Sequence, residues 1–397
     1  MMLHYDFSRK QWFHSDQQSA GVTFGANNEQ VPFLYPRPEK ELVSFQFKQN
    51  NGNAGPIVGI MSSPGKKHAI AGNGPLFTAL QNEMVKTGGL TVVFTPENLS
   101  EQGVDGYTFL PDTKRWINIS TPLPHIVYNR IPFRSTEKSK VFLKSVQLLK
   151  KNHVFLFNPC FIHKFALYTV FSKDPFLKQF MPDTALIKSK QDLVQFLGNH
   201  NRIYLKPALS ARGAGIFCLR ILETGKTMLI NRSGVEHFSG IDAFWEKAGS
   251  RLTRQDYIAQ EEITPALFNG KRYDFRILAH DGPDGYKVTG VGVRRSVKQD
   301  ITTHVLNGGT LLPYEVVEAK EHKELFAEIV THAGERLSRE LGYFGEFSID
   351  AGMATSGRYV IYEVNSKPMS FDEAEIEQSR VRLLADLFID KTKFNKG

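Results

Sequence analysis

The sequence predicts a mixed α/β and α+β fold, and three observations carry that expectation. Residues 1–52 are rich in aromatics, Gly, Asn and Pro, with short stretches that alternate apolar and polar side chains. Residues 53–158 run strand, helix, strand, with strands apolar throughout, as in a small parallel sheet covered on both faces. Residues 159–390 then string many strands around one long helix, which is an α+β pattern.

The elements follow in order. Leu42-Val43-Ser44-Phe45-Gln46-Phe47 has the period of a half-buried strand. Residues 50–55, Asn-Asn-Gly-Asn-Ala-Gly, read as a linker or long turn. A buried strand at 56–61, a helix at 75–87 and a buried strand at 90–94 make the first βαβ unit. Strands at 125–128 and 154–157, joined by a helix at 138–150, complete its sheet. Beyond Asn158, helices are expected at 164–172 and 190–197 and strands at 202–207, 215–220 and 257–262. Further strands at 274–280, 286–294, 345–351 and 359–365 surround a long helix at 322–340.

The chain has 397 residues, enough for two or three domains, and a formal net charge of +8. That balance favours anionic partners such as nucleotides, acidic metabolites or anionic polymers. No zinc-finger pattern, RNP motif or basic helix accompanies it, so nucleic acid is not an expected partner. No apolar run is long enough to span a membrane, and the N-terminus lacks the apolar core of a secretory signal. Cys160 and Cys218, without metal-type spacing, read as reduced, buried thiols, and the expected location is cytoplasmic.

The chemistry concentrates in a few places. Asp350 and Glu363-Val364-Asn365 flank Ser356-Gly357, a favoured centre for a two-residue hairpin turn. With that turn, Asp350 lies opposite Glu363, and Glu363 and Asn365 share a face. Three oxygen ligands on one patch suit Mg²⁺ held together with a nucleotide's phosphates; the alternative is an exposed polar hairpin. Lys206 ends the apolar strand Ile203-Tyr204-Leu205 and precedes Ser210-Ala211-Arg212-Gly213-Ala214-Gly215. This is not a Walker A loop, whose Lys follows the glycines. It is either a backbone cradle for anionic oxygens or a flexible hairpin loop. Gln260-Glu261-Glu262-Ile263 closes a strand with acids before Thr264-Pro265, so its backbone is open either to an adenine edge or to water. Arg272-Tyr273-Asp274-Phe275-Arg276 places three charges on one strand face and two aromatics on the other. Such a face can clamp a phosphate or an acyl-phosphate, with Arg294-Arg295 as further cations, or it can be ordinary paired surface charge. Asn307-Gly308-Gly309 is a plain turn or a loop over a transferred group, and His304 reads as a surface or packing histidine.

The order of these pieces is more specific than any one of them. Lys164 on an early helix comes first, then the Lys206-Pro207 strand with its Gly-rich loop, and then the acidic strand end. Asp-x-Arg, Asn-Gly-Gly and Asp350…Glu363-x-Asn365-x-x-Pro368 follow. This succession resembles the ATP-grasp superfamily over roughly residues 160–385. Val127-Tyr128-Asn129-Arg130-Ile131-Pro132 and Tyr273-Asp274-Phe275-Arg276 look most like the YheC/YheD-type proteins of endospore-forming bacteria. The resemblance implies two α+β lobes gripping ATP over 159–390. A Rossmann-like pre-ATP-grasp domain over 53–158 and a β-rich N-terminal segment over 1–52 would precede them.

It also implies roles. Lys164 and Lys206 would contact ATP phosphates, with Ser210, Gly213 and Gly215 in the loop over them. Gln260, Glu261, Glu262 and Ile263 would form the adenine hinge, and Glu262 stands in for a ribose-binding acid that the pattern lacks. Asp350, Glu363 and Asn365 would hold one or two Mg²⁺ ions. Arg276 and Arg294 would neutralise the transferred phosphoryl group. The implied activity is ATP- and Mg²⁺-dependent ligation of a carboxylate to an amine through an acyl-phosphate, on an unidentified peptide-like or anionic substrate. Family likeness further implies spore association, in the mother-cell cytoplasm or the coat, with coat proteins as partners. The alternatives are a nucleotide-binding coat scaffold without turnover and an anionic-polymer binder.

Overall fold

A parallel sheet organises the first part of the chain. Ile57–Met61, Leu90–Phe94 and Ile126–Asn129 are buried along their whole lengths, and the first of these pairs in parallel with the other two. Phe155–Phe157 adds in parallel on the far side of Ile126–Asn129. Helix Gly74–Lys86 makes the first crossover. The side chain of Asn73 caps it by accepting from Leu76 N–H at 3.2 Å, and Pro75 lies in the first turn, where no donor is lost. This computed structural model describes residues 1–19, 21–35, 42–66, 68–209, 215–231, 233–296 and 309–394.

Two local features differ from expectation. Residues 50–55 hold a tight turn and its flanking strand ends in place of a linker or long turn. Lys48–Asn50 and Asn53–Gly55 pair as a hairpin, and Asn51 and Gly52 form its two-residue turn at φ 50° and 81°. The antiparallel pair Gly103–Leu110 and Arg115–Thr121, not expected from the sequence, extends the parallel sheet at one edge. Its strand passes close over its neighbour at Gly106, where a Cβ would come within 2.6 Å of the Val93 carbonyl oxygen. The N-terminal strands fold onto this unit. Trp12 packs on Phe24 and Phe47, donates Nε1–H to the Ser120 carbonyl at 2.8 Å, and shares a core with Leu90 and Val92.

Two antiparallel sheets follow. The first runs Thr184–Ile187, Tyr257–Glu261, Arg202–Pro207, Phe217–Ile221, Thr227–Asn231, Gly234–Phe238, backed by helices Lys190–Asn199 and Ile241–Arg254. The second runs Gly309–Leu312, Lys287–Ser296, Lys271–His280, Glu346–Met353, Tyr359–Asn365. Its inner face buries Phe275, Ile277, Phe347 and Ile349 against helix Lys320–Leu341 and against helix Lys164–Ser172. Each such side chain contributes about 1.5–3 kcal/mol.

The chain then returns to its beginning. Helix Ala374–Lys391 packs beside Gly74–Lys86 and buries Leu384, Leu387 and Phe388 with Ile60, Tyr128 and Phe157 of the parallel sheet. The two antiparallel sheets and the parallel unit therefore enclose one cleft of about 870 Å³.

Candidate active site

The floor of the cleft is a row of charges across three neighbouring strands. Arg276 is opposite Asp350, and Asp350 is opposite Glu363. The expected facing of Asp350 and Glu363 is therefore present, although the turn is not of the two-residue type. Gly357 N–H donates to the Ala354 carbonyl at 2.9 Å and Gly357 adopts φ 82°, giving a three-residue loop closed at Ala354 and Arg358. That loop alone would displace the register by one residue. A bulge after Asp350 restores it, leaving Tyr362 as the extra residue.

Asp350 is half-buried, and its Oδ1, itself inaccessible to water, has no hydrogen-bond partner among the described residues. Burial pushes its carboxyl pKa up, with Arg294 and Arg276 opposing the shift and Glu363 and Asp274 adding to it. Its other oxygen accepts from Asn365 Nδ2 at 3.2 Å. A buried carboxylate oxygen without a donor, beside a second carboxylate and an amide, fits a hard divalent cation with oxygen ligands. Glu363 also accepts from Lys164 Nζ at 2.6 Å, so the first lysine of the sequence pattern reaches the hairpin directly.

Lys206 points into the same space from the opposing sheet. Its Nζ donates to Gln260 Oε1 at 2.5 Å, and Gln260 Nε2 donates to Thr184 at 3.0 Å. Desolvation lowers its pKa to about 7, and the charges of Lys164 and Arg272 push the same way. The side chain of Gln260 thus holds Lys206. At the strand end, Glu261 and Glu262 already donate their backbone N–H groups to Asp183 and Arg202 carbonyls. Ile263, just beyond, lines the cleft with Ile258 and Met181. The side chain of Glu261 reaches the cleft while bonded to Arg358 at 3.1 Å. Glu262 departs from its expected role. Its carboxylate is held by Arg202, with Nη2–Oε1 at 2.6 Å, and it is not part of the cleft wall. Gly215 takes φ 74° with its carbonyl on Tyr257 Oη at 3.1 Å, and its neighbour Ile216 lines the cleft. Ser210, Gly213, His304, Asn307 and Gly308 lie outside the described residues.

The alternation at 272–276 is as expected: Tyr273 and Phe275 are buried in the lobe core, and Arg272, Asp274 and Arg276 face the cleft. Asp274 is opposite Arg294. Burial lowers the Arg276 pKa to about 10, with Asp350 opposing. Its Nη2 and Nη1 donate to the carbonyls of Met369 and Ser370 at 2.7 and 3.2 Å, so the guanidinium is fixed by backbone beyond the metal-type hairpin. Both cysteines are free. Cys218 is buried and Cys160 only half-buried, and desolvation raises each thiol pKa to about 11.

The sequence reading did not find the wall opposite the Met181, Ile258 and Ile263 end. Asn73, Arg130, Phe133, Arg134, Phe161 and Lys367 come from the parallel unit and from the loop after Asn365. Lys367 was within reach of pattern reading, two residues past Asn365. The others depend on how the parallel unit docks.

The similarities of the chain agree with this geometry. A family model for YheC/D-like ATP-grasp proteins matches residues 153–394. The endospore coat-associated protein YheD of Bacillus subtilis (strain 168) is 27% identical over 356 residues, covering 83% of this chain and 76% of that protein. Among solved structures, the D-cycloserine synthetase DcsG aligns at TM-score 0.51 and 12% identity, over 84% of this chain and 99% of its own. The ATP-grasp ligase PsnB, complexed with a minimal precursor, aligns at TM-score 0.50 and 14% identity, over 85% and 99%. These structures share the ATP-grasp fold.

Proposed function

The chain belongs to the YheC/D-like ATP-grasp family, and on that premise we propose that it is an ATP- and Mg²⁺-dependent ligase that joins a carboxylate to an amine through an acyl-phosphate. The observation that carries this reading is the row Arg276–Asp350–Glu363, with its orphaned carboxylate oxygen, beneath two lysines from different elements.

ATP phosphates and a substrate carboxylate repel one another, so cations must gather them before in-line transfer. Lys206 and Lys164 serve the phosphates, and Arg276 and Arg294 the transferred phosphoryl group. The apolar pocket of Met181, Ile258 and Ile263 suits an adenine ring. Asp350, Glu363 and Asn365 would hold Mg²⁺, which would supply positive charge to offset that of the phosphates. The carboxylate oxygen attacks the γ-phosphorus, the bond to the β,γ-bridging oxygen breaks and ADP leaves. An amine then displaces phosphate from the acyl carbon and loses a proton. No covalent protein nucleophile is required.

ADP release measured with Mg²⁺ and a panel of carboxylates and amines tests the reading. Turnover should appear with one acid–amine pair and fall at least about a hundredfold in Glu363→Gln. Turnover unaffected by that substitution would remove the metal assignment. The name of the relative YheD supports a second reading, a spore-coat component that binds nucleotide without turning it over. Tight Mg·ATP binding with no ADP release across the whole panel would favour it.

A further inference from the structure

The cleft has two unlike ends. One, between the antiparallel sheets, is the apolar pocket assigned above to adenine. The other is walled by the parallel unit and by the loop after Asn365. Three cations line that far end, and two of them are fully engaged. Arg130 donates to the Pro368 carbonyl at 2.9 Å and to Tyr128 Oη at 3.4 Å, and lies 3.6 Å from Glu346. Lys367 is buried on Glu137, Asn129 Oδ1 and the Ile131 carbonyl. Arg134 differs. Its one hydrogen bond among the described residues is a long one, 3.4 Å to the Ile162 carbonyl. The guanidinium lies 4.5 Å over the Phe161 ring, half-buried and within electrostatic reach of Glu363. A planar fork with free donors at the mouth of a cleft is suited to a carboxylate.

The surroundings of Arg134 are apolar. Phe133 is 50% exposed and Met369 46%, although both side chains line the cleft, and Phe161 and Pro132 complete that wall. Apolar side chains left in water around a cationic fork suit a ligand with an apolar body and an anionic end.

We propose that this end of the cleft takes the acid substrate, and that the substrate is an apolar or aromatic carboxylic acid, such as an amino acid or peptide C-terminus of that kind. Its carboxylate docks on Arg134 and its apolar body lies against Phe133, Phe161 and Met369. The proposal rests on the ligase reading, and it adds the chemical class of the acid and the residue that selects it. Arg134 is within electrostatic reach of Glu363, so the bound carboxylate is held near the phosphate-binding cations.

The probe is N-acetylphenylalanine, compared with its amide and with acetate, titrated into the full-length protein with and without Mg²⁺ and the non-hydrolysable analogue AMPPNP. N-Acetylphenylalanine should bind saturably, and its amide and acetate at least about tenfold more weakly. Arg134→Ala should weaken the acid by about tenfold or more while leaving AMPPNP affinity within about twofold, and Arg134→Lys should recover part of the loss. Phe161→Ala should weaken the aromatic acid and leave acetate unchanged. Equal binding of acid and amide, binding indifferent to Arg134, or no saturable binding of the acid overturns the proposal. Loss of AMPPNP binding in the wild type instead overturns the ligase reading, so the two failures are separable.

Discussion

Lys206 shows how one side chain ties burial to function. Its depressed pKa of about 7 means that in the free protein the ammonium is half neutral near physiological pH, mainly because it is desolvated. A bound polyphosphate favours the charged form and raises that pKa. Below pH 7 the lysine is already protonated and contributes its full attraction. Above pH 7 it must first take up a proton, so observed affinity falls as pH rises toward the pKa of the complex. Nucleotide binding at pH 8 should therefore take up close to one proton, seen by calorimetry in buffers of different ionisation enthalpy. Affinity should weaken by up to about tenfold per pH unit above 7. Lys206→Met should abolish both effects. An affinity that is flat from pH 7 to 9 in the wild type would contradict this role.

At the scale of elements, the hairpin from Glu346 to Asn365 is the most informative segment. Its pattern predicted which residues face each other but not how. The Ser356-Gly357 signal was read as a two-residue turn, whereas Gly357 in the left-handed region closes a three-residue loop and a bulge recovers the register. A Cβ at Gly357 would meet no atom within 4 Å, so Gly357→Ala acts through backbone strain alone. It should cost about 1–2 kcal/mol in denaturant melts, with nucleotide affinity little changed. A loss of nucleotide binding larger than the loss of stability would show that the turn itself enters the site.

Most strands and helices of the site were legible because apolar period and charged strand ends are local signals, as at Ile203–Lys206 and Tyr273–Arg276. The misreadings have physical causes. Glu262 seemed available as a ribose acid until Arg202, on a neighbouring strand, occupied it. The side chain of Gln260, for which the sequence suggested no partner, bonds Lys206 and Thr184. Such pairings arise only when the sheet assembles, and no spacing in the chain announces them.

The whole molecule is held around the site by a buried ion network. Arg380 of the last helix, 0% exposed, donates to Glu346 Oε2 at 3.1 Å and to the Pro368 carbonyl at the same distance. Tyr128 Oη donates to Glu346 at 2.5 Å and Arg130 joins from the same strand end. Burial alone would raise the Glu346 carboxyl, but Arg380 and the hydrogen bonds around it hold its pKa well below the usual range. The network joins the parallel sheet, the second antiparallel sheet and the last helix to Pro368, one residue before the carbonyl that receives Arg276. The wall containing Arg134 was invisible in the sequence for the same reason: it exists only once the parallel unit docks. Arg380→Met leaves a buried carboxylate without its main partner and should cost about 3–5 kcal/mol in thermal or denaturant unfolding. A change under about 1 kcal/mol would mean the network is not structural.

In the proposed reading, the Asp350–Glu363–Asn365 patch and the two lysines form one Mg·ATP site. Calorimetric titration of AMPPNP into the full-length protein, with and without Mg²⁺, on the wild type, Asp350→Asn and Glu363→Gln, is the decisive test. The expected result is one saturable site that requires Mg²⁺ for full affinity and weakens by at least about tenfold in either variant. Absence of binding, or binding that neither Mg²⁺ nor the two substitutions alter, would contradict the account.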